Sequence, residues 1–311
     1  MKTLWPVLAF VLCLSIFSAK ADLSRYAGVL VQDHASTKLP PAGVRITYLG
    51  TNGYLLEAKG CTLLIDPYFS RPSLGRFALD LPVRSDPATV REELLSAGVH
   101  GPVDAILVTH GHIDHLLDAP EVIRQTGARL VASRTSMELA QSAGVPAPRC
   151  QAVTWGDSVE IGPAHVTILA AAHDRLFGRV PFPGQRQSPS RVSLPSDWVC
   201  GEPLAFLISI GGERIYIDSG GMKGGPVPKV GPVDLAILGV ALPDSRDRLP
   251  AFLRQLRPRY FLPSHQDDFF RPLRRGFEFG SLTDFPAVQK TARDFPVKLI
   301  LLDYFRPWTL R

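Results

Sequence analysis

The sequence has little cysteine. It contains four cysteines in 311 residues, and Cys13 lies in an N-terminal apolar segment. The other three, Cys61, Cys150 and Cys200, are an odd number, so at least one thiol stays unpaired even in an oxidising compartment. Cys61 lies in the strand-like stretch CTLLID and is expected to be a buried thiol. A Cys150–Cys200 disulfide bond stays open, because sequence alone does not establish pairing.

An excess of charge of one sign is also lacking. The chain has 34 Lys and Arg against 29 Asp and Glu. Without residues 1–21, which include Lys2 and Lys20, 34 − 2 = 32 basic residues remain and the net charge is +3. This charge is too slight to favour nucleic acid or a membrane surface as a partner. With 45% hydrophobic and 20% charged residues, the composition is typical of a soluble globular protein with one large domain or two similar halves.

The N-terminal apolar run is too short for a comfortable bilayer crossing. This run, Leu4–Phe17, follows Lys2 and precedes the small-residue motif AKA that ends at Ala21. The pattern is typical of a secretory signal peptide. We therefore expect residues 1–21 to be cleaved after export, leaving 22–311 as a single periplasmic or secreted domain with no integral membrane segment.

Histidine is scarce as well, yet it is concentrated in one place. Three of the eight histidines lie in the stretch THGHIDH, directly after the strand-like run Asp104–Thr109. Residues two apart in a turning segment can face one side, so His110 and His112 can bind one metal ion, while Asp114 and His115 face a neighbouring point. Imidazole with carboxylate suits zinc, with iron or manganese as substitutes. The simpler interpretation, a helix cap, needs only one short polar side chain.

Further metal ligands are expected at the ends of other strands, because strand ends converge at one edge of a sheet. His173 ends VTILAAAH, Asp218 ends ERIYID, and His265 ends RYFLPSH. The small residues SGG after Asp218 let the backbone turn close to a ligand. Each of the three would alone be more typical of an ordinary strand end, but together with THGHIDH they complete two metal sites.

The order of predicted elements indicates two similar halves. The stretch VRITYLGTNGYLLEAKGCTLLIDPYF predicts a β-meander broken at Asn-Gly and Lys-Gly turns. Strands alternating with helices follow, with helices near 88–97, 119–126 and 135–144. A second series of strands begins near 157, includes a helix at 249–256, and ends with VKLILLDY. A meander followed by βα units therefore occurs twice, which favours two stacked α/β halves.

The segment Asp174–Pro203 differs from the rest in being rich in Pro, Ser, Gly and Arg, without apolar periodicity. It starts directly after His173, and long ordered loops in compact domains are usually functional, so it is expected to form a wall of the substrate cleft. Arg175 and Arg179 are candidate contacts to an anionic substrate. Its aromatic residues are candidates for an apolar wall: Phe177, Phe182 and Trp198. The alternative is a solvent-exposed insertion without a role in binding.

The motif H-x-H-x-D-H with the later His, Asp and His resembles the metallo-β-lactamase-fold hydrolase superfamily. The resemblance extends from about Val44 to Leu302. YLGTNGYLLEAKGCTLLIDPYFS and PSHQDDFF are similar to the branch that contains ascorbate-phosphate lactonases and N-acyl-phosphatidylethanolamine phospholipase D. The resemblance implies an α/β fold, namely a four-layer αβ/βα sandwich of two mixed β-sheets flanked by helices.

The resemblance also implies a centre with two zinc ions, or iron or manganese. It divides seven residues into three sets: His110, His112 and His173 for one ion, Asp114, His115 and His265 for the other, and Asp218 as the bridge. A hydroxide held between two cations is nucleophilic at neutral pH, and Asp114 would orient it as the catalytic residue. Asp66 matches the superfamily's early aspartate and would orient the ligand loop.

The function implied is an exported, dinuclear metal-dependent hydrolase whose metal-bridging hydroxide attacks an ester, phosphodiester or lactone. No G-x-S-x-G motif of a serine hydrolase competes with this interpretation. The substrate is a small molecule or a lipid, anionic if the loop arginines bind it, and the sequence does not specify it further. The alternative is an iron-dependent oxidoreductase on the same fold, similar to persulfide dioxygenases, which metal analysis would distinguish.

Overall fold

The structure is a computed structural model that describes residues 23–33, 39, 42–189 and 191–311. The signal peptide expected at 1–21 lies outside the described residues. In the part of the chain that is described, no helix is long and apolar enough to cross a bilayer. Cys61, Cys150 and Cys200 are free thiols, so the Cys150–Cys200 disulfide bond that the sequence left open is not formed.

The first of two sheets has seven strands. They are β1 Val44–Gly50, β2 Gly53–Ala58, β3 Cys61–Ile65, β4 Ala105–Leu107, β5 Arg129–Ala132, β6 Cys150–Ala152 and β14 Trp308–Leu310. Their order in the sheet is β14-β1-β2-β3-β4-β5-β6. Pairing is antiparallel from β14 to β3 and parallel from β3 to β6. The predicted meander is confirmed as β1 to β3, and the parallel strands carry the ligand loop at the end of β4.

The second sheet also has seven strands. They are β7 Ser158–Ile161, β8 Ala164–Ala170, β9 Leu204–Ile210, β10 Glu213–Asp218, β11 Leu235–Gly239, β12 Tyr260–Ser264 and β13 Lys298–Leu299. Their order is β13-β12-β11-β10-β9-β8-β7. Pairing is antiparallel from β7 to β10 and parallel from β10 to β13. Both sheets are therefore mixed, as predicted.

The helices of the described residues flank the sheets. They are α1 Leu74–Ala78, α2 Pro87–Ser96, α3 Ile113–Leu116, α4 Ala119–Thr126, α5 Arg134–Ser142, α6 Pro243–Asp247, α7 Leu249–Leu256 and α8 Phe285–Arg293, with short 3-10 helices at Leu23–Tyr26, Ala147–Arg149, Pro195–Asp197 and Leu273–Arg275. The predicted bounds of α4 and α7 agree with the structure. Each of these two helices has one apolar face that is buried against the protein.

The core has two parts, which define the layers. Inward-facing residues of both sheets, such as Leu56 of β2 and Ile208 of β9, belong to one cluster between the sheets. A second cluster joins the outer face of the second sheet to its helices, with Leu238 of β11 packed near Phe252 of α7 and Val288 of α8. α4 and α5 pack on β5 of the first sheet. The fold is thus the four-layer αβ/βα sandwich that was expected.

Several elements near the C-terminus differ from the sequence prediction, among them β14, which was not predicted. Helix α8 was not predicted, although Asp284 caps it by accepting a hydrogen bond from Ala287 N at 3.0 Å and a proline stands in its first turn. The strand predicted for VKLILLDY is shortened to β13. The residues that follow β13 pair with the N-terminal segment instead, where Leu301 N donates to Val29 O at 2.7 Å.

Candidate metal centre

The ligand loop follows β4 and runs directly into α3. A Cβ atom on Gly111 would lie 2.3 Å from Val199 O, so the loop can pass this neighbouring segment only with glycine. Gly111 N donates to Cys200 O at 2.9 Å, which fixes the turn. Asp114 and His115 lie in the first turn of α3. The strand, the glycine and the helix start together place four polar side chains in the interior.

Three histidines form the first group of candidate metal ligands. Each of His110, His112 and His173 contributes a ring nitrogen, and these atoms lie within 4.8 Å of one another. His110 Nε2 and His112 Nδ1 are 2.9 Å apart. Nitrogen ligands at about 2.0–2.1 Å from a tetrahedral zinc ion are about 3.4 Å from one another. The observed spacing fits one such ion.

The second group consists of Asp114, His115 and His265, whose ligand atoms also lie within 4.8 Å of one another. Asp114 Oδ2 is 3.0 Å from His265 Nε2 and 3.4 Å from His115 Nε2. His265 follows β12 with a left-handed backbone, φ 55°, and its N–H donates to Thr51 O at 2.7 Å. The rings of His110 and His115 have centroids 4.0 Å apart, so the two groups adjoin.

The protonation of the histidines suits metal binding. Burial, together with neighbouring imidazoles, lowers the pKa of His110 well below its ordinary value and that of His112 to about 3. Both rings are therefore neutral, as ligation requires. Burial opposes the proton on His115, but the carboxylates of Asp114 and Asp66 outweigh it and raise the pKa to about 10. The same negative charge would stabilise a cation held by this group, and His115 would bind it as the neutral imidazole.

Asp66 is a buried carboxylate that organises the ligand loop. Its Oδ1 accepts a hydrogen bond from Thr109 N at 2.8 Å, and its Oδ2 accepts one from the Thr109 hydroxyl at 2.6 Å and one from Asn52 Nδ2 at 2.8 Å. His115 Nδ1 lies 2.8 Å from Oδ2, so Nε2 is directed to the second group. Asn52 Oδ1 accepts from the Ser264 hydroxyl at 2.6 Å and ties the loop to β12. Asp66 has the contacts expected of an orienting residue.

A second buried carboxylate, Asp267, fixes the turn that carries His265. Asp267 Oδ2 is 2.8 Å from Arg71 Nη2. Its Oδ1 accepts hydrogen bonds from Thr51 N at 2.8 Å and Tyr48 OH at 3.0 Å. Thr51 is the residue whose carbonyl accepts from His265 N. This network was not predicted, although the two aspartates in PSHQDDFF signalled it.

Asp174 holds His173, a role that the sequence analysis also missed. His173 Nδ1 lies 2.7 Å from Asp174 O and 3.1 Å from Asp174 Oδ1. The Ser245 hydroxyl donates to Asp174 Oδ2 at 2.5 Å. Burial opposes a proton on His173, but Asp174 outweighs it and raises the pKa. With Nδ1 held by Asp174, the other ring nitrogen is directed to His110 and His112.

Asp218, the expected bridge between the two ions, is the partner of a buried arginine in the structure. Among the described residues, Asp218 belongs to neither ligand group. Arg248 Nη1 and Nη2 donate to its two oxygens at 2.7 and 2.6 Å, and both side chains are 2% exposed. The physical reason is the direction of the side chain, which points to the outer face of the second sheet. Ser219, the next residue, approaches His110 instead, with Oγ 3.4 Å from Nδ1.

The described part of the segment 174–203 lies against the ligand loop, as expected for a segment that starts directly after His173. Pro181 O is 3.0 Å from His112 Nε2. The two candidate substrate contacts differ: Arg175 Nε is 2.7 Å from Asp244 Oδ2 and so is already paired, whereas Arg179 is exposed. Trp198 was expected in the cleft wall, and this is wrong. Its side chain is 3% exposed and packs into the core between the sheets.

Half-buried phenylalanines extend from one ligand group to the other. We call them the aromatic row: Phe182, Phe77, Phe270 and Phe269. In this order, neighbouring ring centroids are 5.4, 5.4 and 4.2 Å apart. The row begins with a ring 6.3 Å from that of His112 and ends with a ring 5.5 Å from that of His265. Of these residues, only Phe182 was anticipated from the sequence.

A family model described as the beta-lactamase superfamily domain matches residues 62–265. The match begins in β3 and ends at His265, so it includes both ligand groups. The chain belongs to the metallo-β-lactamase-fold hydrolase superfamily. A relative from Rubrobacter xylanophilus is 30% identical over 234 residues, which are 73% of this chain and 83% of the relative. Another from Carboxydothermus hydrogenoformans is 26% identical over 230 residues, 71% and 84% of the two chains. Both are named metal-dependent hydrolases.

Solved structures agree with the fold. Igni18, a metallo hydrolase of Ignicoccus hospitalis, gives a TM-score of 0.56 at 16% identity and covers 86% of this chain and 98% of its own. The metallo-β-lactamase fold protein YhfI of Bacillus subtilis gives 0.55 at 14% identity, with 85% and 99% covered. At these identities the likeness supports the architecture.

Two of the three residue sets that were expected to hold metal ions have donor atoms suited to such ions. The first group offers three imidazole nitrogens, and the second offers two imidazole nitrogens with one carboxylate oxygen. These donors suit zinc, iron or manganese. The third set, Asp218 as a bridge, does not fit, because Arg248 binds both of its oxygens. The chain is thus a metal-dependent hydrolase by its family, and its described residues include two candidate three-residue ligand groups.

Proposed function

We propose that the protein is an exported hydrolase that cleaves an ester, a phosphodiester or a lactone. It would bind two metal ions, which we propose to be zinc, with iron or manganese as substitutes. The observation that carries this proposal is the pair of adjoining ligand groups, each of three residues. Their contact through the rings of His110 and His115 supports two ions close enough to act on one substrate. Membership of the superfamily supports hydrolysis as the reaction.

The metal ions and Asp114 have different roles in the proposed reaction. When bound, the two metal ions supply Lewis-acid polarisation of the scissile group and lower the pKa of water toward neutrality. Asp114, held between His115 and His265, accepts a hydrogen bond from the attacking water and orients it. Burial would raise the pKa of Asp114, but His115 and the hydrogen bonds from both histidines hold it well below its usual range. Asp114 is therefore a carboxylate at neutral pH.

The substrate is proposed to be a small molecule or lipid with an apolar portion. The aromatic row supports this, because half-buried rings beside the ligand groups offer an apolar surface for an acyl chain or ring. The exposed Arg179 adds positive charge in the same segment as Phe182 and supports an anionic group on the substrate. Arg175 contributes less, since Asp244 neutralises it.

The experiment that tests the proposal is a metal determination on the purified mature protein, followed by a panel of esters, phosphodiesters, lactones and lactams. We expect about two transition-metal ions per folded chain and turnover of at least one of the first three classes. Folded protein that binds no metal would contradict the proposal. The iron-dependent oxidoreductase is not favoured, because the relatives reported above are named metal-dependent hydrolases. Bound iron with oxygen consumption would reverse that preference.

Export is part of the proposal and has its own test. The motivation is the sequence of residues 1–21, with Lys2, the apolar run and the motif that ends at Ala21. A tagged chain expressed in a bacterial host should leave the cytoplasm and begin at Asp22 on N-terminal sequencing. An intact Met1 on the cell-associated protein would contradict export.

A further inference from the structure

We infer that Ser219, directly after β10, positions a ligand of the metal centre, and that Asp218 is instead the buried partner of Arg248. No carboxylate of the described residues then bridges the two ligand groups. The inference rests on the proposed metal centre and specifies how it is built. It replaces the bridging role that the resemblance to the superfamily implies for Asp218. Three observations support it, namely the register of β10, the contacts of Asp218 and the place of Ser219.

The register of β10 fixes the direction of the Asp218 side chain. Successive residues of a strand point to opposite faces. Ile217 pairs with Ile237 of β11, and both belong to the cluster between the two sheets. Asp218 pairs with Leu238, which belongs to the outer cluster with α7 and α8. Regular pairing continues through Asp218, so its side chain leaves the sheet on the outer face.

The carboxylate of Asp218 has its hydrogen-bonding capacity filled. Oδ2 accepts from Arg248 Nη1 at 2.7 Å and from Tyr216 OH at 3.0 Å, and Oδ1 accepts from Arg248 Nη2 at 2.6 Å and Gly239 N at 3.3 Å. Two oxygens offer about four lone-pair sites. A metal ion would have to displace one of these donors and lie beside a buried guanidinium, which repels it.

Arg248 is fixed independently of Asp218. Its guanidinium carbon lies 4.3 Å from the centroid of the Phe252 ring in α7, and its Nη2 also donates to Gly239 O at 3.3 Å. With Asp218 it forms a two-pronged ion pair that ties the end of β10 to the start of α7. Removal of only one member would leave a buried, uncompensated charge, which is strongly destabilising.

Ser219 is the first residue after β10 that faces the ligands. Its Oγ lies 3.4 Å from His110 Nδ1, on the opposite side of the ring from Nε2, which faces His112. The Thr109 hydroxyl lies 3.2 Å from the same Nδ1, so Ser219 shares this position with Thr109. A hydroxyl that accepts a hydrogen bond from Nδ1–H keeps Nε2 free for the metal, as partners of metal-bound histidines do. The backbone allows this approach because a Cβ atom on Gly239 would lie 2.1 Å from Ser219 O. Ser219 is a positioning residue for His110.

The inference is tested with zinc alone on the mature full chain. Metal-free parent, Asp218→Asn, Asp218→Asn/Arg248→Met and Ser219→Ala are reconstituted with zinc sulfate. Bound zinc is counted by mass spectrometry, its affinity is measured by competition with a chromophoric chelator, and thermal unfolding is recorded without metal. His112→Ala serves as the control for loss of a ligand.

We expect Asp218→Asn to bind two zinc ions with the affinity of the parent, while the Tm of its metal-free form falls by roughly 10 °C. Replacement of Arg248 in the double variant should recover most of that fall. If the single variant does not fold, the double variant carries the same test. Ser219→Ala should show the opposite pattern, with zinc affinity weakened by about tenfold and the metal-free Tm unchanged.

Loss of a zinc ion or of affinity in either Asp218 variant would restore the bridging role and overturn the inference. Unchanged zinc affinity in Ser219→Ala would overturn the assignment of Ser219. A parent protein that binds no zinc would remove the metal centre itself. That outcome contradicts the proposed function and this inference together, and it is recognised because the parent already fails.

Discussion

Arg71 and Asp267 form an ion pair whose side chains have no exposed surface, with Nη2 and Oδ2 2.8 Å apart. Arg71 Nη1 also donates to the carbonyl oxygens of Asp268 and Arg271, at 3.1 and 3.0 Å. The pair is adjacent to the turn at His265, because His265 precedes Asp267 by two residues. The left-handed turn at His265 is therefore held by a charged network and not by apolar packing alone.

Replacement of Arg71 by Met should lower the free energy of unfolding by about 3–5 kcal/mol, because Asp267 is left buried without its counter-ion. Urea unfolding measures this change. Arg91→Met, on the exposed side of α2, is the control and should stay within about 0.5 kcal/mol of the parent. The double variant Arg71→Met/Asp267→Asn should recover part of the loss. Equal stabilities of Arg71→Met and the parent would show that the pair does not hold the turn.

Replacement of Asp66 by Asn should weaken zinc binding by about 10–100-fold, since the carboxylate that holds His115 Nδ1 is lost. Competition with a chelator measures the affinity. Asp104→Asn is a matched control, because Asp104 is exposed and accepts a hydrogen bond from Thr62 N away from the ligands. If both variants bind zinc as the parent does, Asp66 does not orient the loop.

Removal of metal by dialysis against a chelator should abolish hydrolysis, and added zinc should restore it. His173→Ala and His265→Ala should each retain one ion, because they belong to different groups. Mass spectrometry of the purified variants counts the ions. Loss of both ions from each variant would mean that the groups are not separate sites, and full activity without metal would contradict metal catalysis.

Replacement of Asp114 by Asn should reduce kcat by about 10²–10⁴-fold, the contribution that a positioned acid–base group makes. Asn keeps the shape of the side chain but accepts the hydrogen bond of water more weakly. Zinc content is measured in the same samples, so that a loss of metal is separated from a loss of orientation. An unchanged kcat would place the catalytic residue elsewhere.

Replacement of Phe182 or Phe77 by Ala should lower kcat/KM for substrates with an apolar group by about 10–200-fold, the range that hydrophobic pocket contacts supply. Truncated substrates should be hydrolysed almost as fast as by the parent. Phe177→Ala is the matched control, because this residue of the same segment is 69% exposed. Equal losses for apolar and truncated substrates would show that the aromatic row does not select the substrate.

Local sequence signals predicted the parts of the protein that depend on near neighbours. THGHIDH located the ligand loop, and the apolar faces of α4 and α7 gave these helices their bounds. The repeated order of strands and helices indicated two α/β halves, and the resemblance to the superfamily implied the architecture of two mixed sheets. Strand ends also gave His173 and His265, because a polar residue after an aliphatic run is visible in the sequence.

The parts that escaped prediction depend on residues far apart in the chain. The direction of Asp218 is set by its register with Leu238 and by Arg248, which is 30 residues away. Arg71 and Asp267 are separated by 196 residues. One residue more or less in β10 would turn Asp218 to the opposite face. Position at a strand end therefore indicates nearness to a site and leaves the direction of the side chain undetermined.

Each ligand group draws on both sheets, and this gives the metal ions a mechanical role. The first sheet contributes the loop after β4, and the second contributes His173 after β8 and His265 after β12. A bound ion therefore cross-links the two halves much as a disulfide would, but reversibly. By mass action, an ion at 100 times its dissociation constant adds about 2.7 kcal/mol to the stability of the folded state. The concentration of free metal during folding would thus set the stability of the contact between the two halves, independently of any substrate.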